Sequence, residues 1–155
     1  MKPTILVVDD QPGTRQLLRN VLEREGYRVV EASDEGDAWW AIQRCDQALE
    51  LALIDVDLPG RDGRCVADHL QLLQPLPVIF MSGHDRNVLL AEGRLQRDAS
   101  WLAKPFRLSE VRETVRRELR AGHHEHRVNA MQPGSSSAGS VPEWPTGAEP
   151  AAHTA

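Results

Sequence analysis

A chain of 155 residues, of which 41% are hydrophobic, is long enough for one ordinary domain with a hydrophobic core. The formal net charge of −5 argues against a nucleic-acid binder, because neutralising phosphates requires clustered Lys and Arg. No apolar run approaches the ~20 residues of a membrane span, and the start turns acidic at Asp9 where a signal peptide would stay apolar. These features predict a cytoplasmic protein without a membrane span. Cys45 and Cys65 are expected to be buried free thiols rather than a disulfide.

Strand-like and helix-like segments alternate along the chain. The predicted strands are short apolar runs, at residues 4–8, 27–32, 49–54, 76–82 and 100–103. The predicted helices lie at residues 14–26, 34–45, 63–73, around Gly93, and at residues 110–120. Gly26 is expected to stop the first helix. Ser33, Asp62 and Ser109 are the expected N-caps of the second, third and fifth.

Five alternations of strand and helix predict an α/β fold, with a doubly wound five-stranded parallel sheet covered by helices on both faces. The central strands read as continuous apolar runs, which burial on both faces requires. The fourth helix is predicted to be weak, since a glycine inside a helix costs ~1 kcal/mol relative to Ala. On the second helix, Trp40 falls nearly opposite the apolar face and is predicted to be largely exposed.

The composition changes at about residue 122. Residues 1–121 are predicted to form the folded domain, and residues 122–155 to be a disordered tail rich in Pro, Gly, Ser and Ala. Such a tail cannot bury enough apolar surface to offset its ordering entropy. His123, His124 and His126 are a possible metal-binding cluster, but three histidines in such a segment are expected to be solvated.

Polar residues follow the predicted strands at their carboxyl ends. Because ligands bind at that edge of an open parallel sheet, these side chains are expected to converge. Carboxylates ~4 Å apart repel by ~4 kcal/mol at an effective dielectric near 20, and a divalent cation bound by oxygen ligands removes that cost. Mg²⁺ or Mn²⁺ is therefore the expected cofactor, and an amine and a hydroxyl on the same edge suit an incoming phosphoryl group. The residues concerned are Asp9, Asp10, Asp55, Ser82 and Lys104.

This constellation resembles the receiver domains of two-component response regulators. The resemblance is carried by Asp9-Asp10, the D-x-x-L-P-G-x-x-G run from Asp55, Ser82 in VIFMSGH, and Lys104-Pro105, over residues 4 to about 120. It implies a flavodoxin-like (β/α)5 receiver fold. It also implies a partner, a histidine kinase or histidine phosphotransfer protein, whose phosphohistidine donates a phosphoryl group.

The same resemblance implies individual roles for the site residues. Asp55 is the phosphorylation site and a ligand of Mg²⁺. Asp10, the backbone carbonyl of Asp57, and Asp9 acting mainly through water complete the metal site. Ser82 turns toward the phosphoryl oxygen, and Lys104 pairs with it. Trp101 stands where the family usually has Tyr or Phe as the aromatic that moves with the Ser or Thr, so Ser82 and Trp101 are the expected switch pair.

The carboxylate of Asp57 is an unusual side chain at its position in such a domain. It is expected to point toward the mouth of the site as a flexible residue at its rim, with His84 beside it. There it would act on the phosphoryl group either by repulsion or by holding a water.

Two alternatives concern the activity and the output. The sequence LIDVDL also resembles the D-x-D of haloacid-dehalogenase-type phosphatases, in which Asp55 would be a nucleophile and Asp57 a general acid. Against this, the motif sits on the third strand rather than near the start of the chain, Leu58 replaces the expected hydroxyl or small branched residue, and no cap domain is expected. We therefore expect a phosphoacceptor with at most slow self-dephosphorylation, not an enzyme. No segment after Ala121 looks like an effector domain, so a stand-alone receiver acting on an unknown downstream protein is expected.

Overall fold

The structure is a computed structural model that describes residues 1–129, and the side chains of residues 1–123. Its strands are β1 (Thr4–Val8), β2 (Arg28–Ala32), β3 (Leu49–Asp55), β4 (Val78–Ser82) and β5 (Ser100–Ala103). Its helices are α1 (Pro12–Arg24), α2 (Glu35–Arg44), α3 (Gly63–Leu73), α4 (Arg86–Ala91) and α5 (Leu108–Asn129). Strand and helix alternate five times, as predicted.

All five strands are parallel, in the order β2-β1-β3-β4-β5. The connection from β1 leads outward to β2, and the chain then returns to the other side of β1 for β3. The strand order therefore reverses between β1 and β3, which is where open α/β sheets bind ligands. The predicted doubly wound α/β fold is confirmed.

Alternate residues of each central strand enter two separate cores. On one face, Ile5 and Val7 of β1 pack with α1 and α5, and on the other face Leu6 and Val8 pack with α2 and α3. All four β1 side chains are fully buried. Burial on both faces explains why these strands read as unbroken apolar runs.

Two of the three predicted helix caps are wrong. The side chain of Asp34, not Ser33, caps α2 by accepting from the Asp37 amide, while Ser33 donates its hydroxyl to the carboxylate of Asp37. Helix α5 begins at Leu108, so Ser109 lies inside its first turn. Adjacent polar residues compete for a capping position, and the backbone geometry that decides between them is not visible in the pattern.

Two other helix ends agree with prediction. Asp62 caps α3 by accepting from the Arg64 amide at 2.9 Å, and Gly26 follows α1 with φ of +92°. Gly93 was expected inside α4, but the helix ends at Ala91 and Gly93 has φ of +68°. It therefore terminates α4, which glycine favours because a left-handed residue there carries no Cβ penalty.

Helix α5 continues past the predicted domain boundary at residue 121, through Gly122 to Asn129. A Cβ on Gly122 would lie 3.2 Å from Cγ of Pro77, so this glycine packs closely against the loop before β4 instead of ending the helix. His123 lies 3.2 Å from a carboxylate oxygen of Glu50. The side chains of His124 and His126 lie outside the described residues, as do residues 130–155, so the predicted tail and histidine cluster stay predictions.

Trp40 agrees only in part with its predicted exposure. Its side chain is 39% exposed, and the guanidinium of Arg44 lies 5.2 Å from the centre of its ring.

Both cysteines are free thiols, as predicted. Cys65 is exposed and Cys45 is half-buried, so the expected burial of Cys65 is wrong. No helix within the described residues is long and apolar enough to cross a membrane.

The start of α3 packs directly on the end of β3. The amide of Gly63 donates to the carbonyl of Val56 at 3.0 Å, and a Cβ added to Gly63 would lie 2.0 Å from the carbonyl oxygen of Asp55. No side chain fits there without moving the backbone that carries Asp55. Gly63 therefore sets the distance between α3 and the carboxyl end of β3.

We predict that Gly63→Ala destabilises the protein by roughly 1–3 kcal/mol or more, because the added methyl must displace backbone. Urea unfolding measures this loss. The matched control is Gly13→Ala in the first turn of α1, where a Cβ meets nothing within 4 Å. The control should be neutral or stabilising by about 0.4–1 kcal/mol. Equal stability of the two variants would contradict the close approach at Gly63.

Candidate functional site

Four strand ends bring the predicted polar residues together at one edge of the sheet. Asp9 directly follows β1, Asp55 is the last residue of β3, Ser82 is the last residue of β4, and Lys104 directly follows β5. The amide of Lys104 donates to the carbonyl of Ser82 at 2.9 Å, which aligns these two ends. Parallel pairing alone thus collects residues that are up to 95 positions apart in the sequence.

The ammonium group of Lys104 joins the carboxylates of Asp9 and Asp55. Its Nζ lies 2.6 Å from Oδ2 of Asp9 and 2.9 Å from Oδ2 of Asp55. Asp9 is fully buried and Asp55 is 3% exposed. Buried carboxylates are stable only when paired and hydrogen-bonded, so Lys104 is the counter-charge of this pair.

Backbone amides satisfy the other carboxylate oxygens of these two residues. The Gln11 amide donates to Oδ1 of Asp9 at 2.9 Å, and the Asp57 amide donates to Oδ1 of Asp55 at 3.0 Å. Each donor comes from the loop that directly follows the strand. The loops after β1 and β3 therefore fix the orientation of the carboxylates that those strands deliver.

Burial dominates the ionisation of Asp55. It raises the pKa of this carboxyl above its ordinary value, although the Asp57 amide and the charge and hydrogen bond of Lys104 act in the opposite direction. For Lys104, burial would lower the pKa, but its bonds to Asp9 and Asp55 hold it above the ordinary value. The ammonium of Lys104 therefore lies between two carboxylates, and the carboxylate of Asp55 gains a proton more readily than that of an exposed aspartate.

Three carboxylates at this edge could hold a metal ion. One oxygen from each of Asp9, Asp10 and Asp55 lies within 4.8 Å of the others, and Asp10, unlike the other two, is exposed. An all-oxygen donor set with one solvent-facing ligand fits Mg²⁺, which keeps several of its waters. The residues present therefore fit the predicted cation, and the role of the Asp57 carbonyl as a further ligand stays a prediction.

The side chain of Asp57 is held by three residues and is not a flexible residue at the rim. Its Oδ2 accepts the hydroxyl of Ser82 at 2.7 Å, while Nη2 of Arg94 and Nε2 of His84 lie 3.0 and 3.4 Å from its Oδ1. Partial burial by itself would raise its pKa, but hydrogen bonds from Ser82 and Arg94 and the charges of His84 and Arg94 hold the pKa below its usual value. The predicted position of His84 is confirmed.

Ser82 and Trp101 have packed positions in the structure. Ser82 is fully buried, and its hydroxyl, which also accepts the His84 amide at 3.0 Å, donates to Asp57 and not to Asp55. Trp101 on β5 is half-buried against a small cluster that includes Leu89 of α4. The structure thus places Trp101 against the cluster around α4, and the role of Ser82 and Trp101 as a switch pair stays a prediction.

Sequence reasoning missed Arg94. Its guanidinium donates to Asp57 and, through Nε at 2.8 Å, to Oδ2 of Asp62. The hydrogen bonds that Arg94 donates, first to Asp62 and second to Asp57, raise the pKa of Arg94 above its usual value. The signal available in the sequence was an Arg directly after a helix-ending glycine, which is common on any surface. Only the fold shows that it reaches the loop after β3.

The family model for the response regulator receiver domain matches residues 5–116 of the chain. The chain belongs to this receiver domain family. The match covers all of the strands apart from Thr4 at the start of β1, and all four residues at the strand ends. Receiver domains bind Mg²⁺ at an acidic pocket, and the cluster of Asp9, Asp10 and Asp55 lies within the matched residues.

Two curated relatives illustrate how far the likeness extends. Response regulator GtcR of Aneurinibacillus migulanus is 35% identical over 120 residues, which are 77% of this receiver chain and 49% of that protein. Sporulation initiation phosphotransferase F of Bacillus subtilis is 30% identical over 120 residues, which are 77% of this chain and 95% of that protein. The chain thus spans about half of one relative and nearly all of the other.

Solved structures agree with the receiver fold. The receiver domain of NtrX from Brucella abortus is 34% identical, with a TM-score of 0.65 over 75% of this chain and 98% of that one. Chemotaxis protein CheY4 of Vibrio cholerae is 23% identical, with a TM-score of 0.67 over 76% of this chain and 99% of that one, and supports the fold alone.

These matches do not favour the phosphatase alternative, since the family model describes a response regulator receiver domain and GtcR is named as a response regulator. The expectation that the chain binds no nucleic acid stays a prediction. One relative that is 30% identical is the transcriptional regulatory protein AruR of Pseudomonas aeruginosa, of which this chain spans 52%.

We predict that Asp55→Asn raises the free energy of unfolding at pH 7.5 without divalent cations. The raised pKa of Asp55 means that the folded chain binds its proton more tightly than the unfolded chain, so the ionised carboxylate costs stability above that pKa. The gain should shrink as the pH falls toward about 4, the ordinary pKa of Asp. Urea midpoints measured in EDTA test this.

The matched control is Asp98→Asn, which neutralises an exposed aspartate on the loop before β5. Its free energy of unfolding should stay within about 0.5 kcal/mol of that of the unsubstituted protein at both pH values. A lower stability of Asp55→Asn than of this control at pH 7.5 would contradict the balance of burial and pairing described for Asp55.

Proposed function

We propose that this receiver domain is a phosphoacceptor that takes a phosphoryl group onto Asp55 and signals by docking with another protein. The observation that carries the proposal is the buried Asp55 carboxylate at the end of β3, with Lys104 2.9 Å from one of its oxygens and two further carboxylates beside it. The donor is a phosphohistidine of a histidine kinase or histidine phosphotransfer protein, and the reaction takes place in the cytoplasm.

The transfer exchanges one phosphorus bond for another. A carboxylate oxygen of Asp55 forms a bond to phosphorus while the bond from phosphorus to the imidazole nitrogen of the donor breaks, and the released imidazole takes up a proton. The carboxylate must be ionised to attack. The loop after β3 assists, since the Asp57 amide at 3.0 Å fixes the orientation of the attacking group.

Charge is the main obstacle to this transfer. The product adds roughly −1.5 to −2 units of charge to an edge that already holds Asp9, Asp10 and Asp57. Lys104 supplies one positive charge, and its position between Asp9 and Asp55 allows its ammonium to contact an oxygen of a phosphoryl group on Asp55. Mg²⁺ held by Asp9, Asp10, Asp55 and the carbonyl of Asp57 would supply the remaining charge neutralisation.

The buried hydroxyl of Ser82 is the second group able to respond to the phosphoryl group. It donates to Asp57 in the structure, and a phosphoryl oxygen on Asp55 would be a competing charged acceptor for the same proton. Moving Ser82 affects β4, whose neighbour β5 carries Trp101. This connection supports a conformational output read by an unknown downstream protein. As part of the same proposal, the domain accepts one phosphoryl group and loses it slowly, without enzymatic turnover.

We predict that acetyl phosphate with Mg²⁺ adds one phosphoryl group per chain, which mass mapping places on Asp55. Asp55→Asn should lose the adduct, and EDTA should abolish labelling, because the added charge then has no adequate counterweight. Asp98→Asn is the control for loss of an exposed carboxylate and should label normally. An adduct that persists in Asp55→Asn, or full labelling in EDTA, would refute the proposal.

A further inference from the structure

We propose that Arg94 is a positioning residue for phosphorylation, which acts through Asp57 and joins the site to the end of α4. The kinetic part of this inference rests on the proposed phosphorylation of Asp55. The term Arg94 bridge denotes here the hydrogen bonds from Arg94 to Asp57 and to Asp62.

The Arg94 bridge links two points of the loop after β3. Nη2 lies 3.0 Å from Oδ1 of Asp57, and Nε lies 2.8 Å from Oδ2 of Asp62. Asp62 simultaneously caps α3 through its other oxygen. One guanidinium therefore holds both the carboxylate beside the phosphorylation site and the first turn of α3, a geometry that the fork of an Arg provides and a Lys does not.

The backbone of Arg94 is bonded to the C-terminal end of α4. The Arg94 amide donates to the carbonyl of Leu89 at 2.9 Å, and the Gly93 amide donates to that of Leu90. Arg64 of α3 also donates to the carbonyl of Gly93. The left-handed Gly93 turns the chain back so that the next residue reaches the loop after β3. A displacement of Asp57 would therefore be transmitted through Arg94, which bonds to Asp57 by its side chain and to Leu89 of α4 by its amide.

Charge gives the Arg94 bridge its functional consequence. Asp57 is a carboxylate beside the acceptor Asp55, where it repels an anionic phosphodonor. Among the residues that the structure describes around Asp57, Arg94 is the permanent cation, since His84 is 59% exposed and carries charge only when protonated. Asp57 also accepts the Ser82 hydroxyl, and a carboxylate that loses its guanidinium partner becomes a stronger competitor for that hydroxyl. Both effects predict slower phosphorylation without Arg94.

The first experiment measures labelling of Asp55 by acetyl phosphate and Mg²⁺ at low ionic strength. Arg94→Gln should slow labelling by about three- to tenfold, a change in encounter rate typical of losing a charge at the rim of a site. The slowing should diminish at high salt. Arg97→Gln removes the same charge three residues away, from an exposed side chain, and should change the rate less than about twofold.

A double-substitution cycle separates action through Asp57 from general damage. Asp57→Asn alone should increase labelling, because it removes the repelling carboxylate. In that background Arg94→Gln should change the rate less than about twofold, since the partner through which it acts is gone. Arg94→Lys retains the charge and should recover most of the labelling rate. A slowing by Arg94→Gln that persists in the Asp57→Asn background would overturn the proposed role.

The second experiment needs no phosphorylation. Hydrogen exchange of the unphosphorylated chain should show amides of residues 89–94 exchanging about two- to fivefold faster in Arg94→Gln, because part-exposed ion pairs stabilise weakly. Arg94→Lys should recover little of this protection, and Arg97→Gln should have none of the effect. Unchanged exchange in Arg94→Gln would overturn the link to α4. Absence of Asp55 labelling in the unsubstituted protein would instead overturn the proposed function and the kinetic role together.

Discussion

The ammonium of Lys104, held between the buried carboxylates of Asp9 and Asp55, is the interaction on which the site depends. Two carboxylates this close and this dry would otherwise repel strongly, and one of them would take up a proton. The three residues come from the ends of β1, β3 and β5, so the interaction exists only when the whole parallel sheet has formed in register. The strand order that completes the core therefore also places the charge of Lys104 beside Asp55.

Much of this arrangement was predictable from the sequence. Strands buried on both faces must be apolar throughout, so five runs of strand length separated by helical periodicity leave few folds other than a doubly wound sheet. The convergence of Asp9, Asp55, Ser82 and Lys104 then follows from geometry, because each residue ends or follows a parallel strand. No knowledge of side-chain contacts was needed for that step. The resemblance to receiver domains rests on the same residues.

What the sequence did not reveal depends on geometry between elements. The sequence pattern predicts Ser33 as the cap of α2, whereas Asp34 caps it, and predicts a domain boundary at Gly122, whereas this glycine packs on Pro77 within α5. Arg94 was overlooked because an Arg after a helix-ending glycine has no distinctive pattern, and its partners lie more than 30 positions earlier. The contacts that Asp57 makes with Ser82 and Arg94 could not be predicted for the same reason. Local pattern predicts which elements form, whereas these details need the distances between them.

We propose that Asp55, Lys104 and Ser82 together receive a phosphoryl group. A crystal structure of the protein with Mg²⁺ and beryllium fluoride, a stable phosphoryl analogue, is the decisive test of this role. We expect the beryllium to be bound to a carboxylate oxygen of Asp55, Lys104 to contact a fluorine, and the Ser82 hydroxyl to donate to a fluorine instead of to Asp57. The proposed roles would be wrong if the analogue bound at another carboxylate, or if it bound to Asp55 while Lys104 stayed between Asp9 and Asp55 and Ser82 stayed hydrogen-bonded to Asp57.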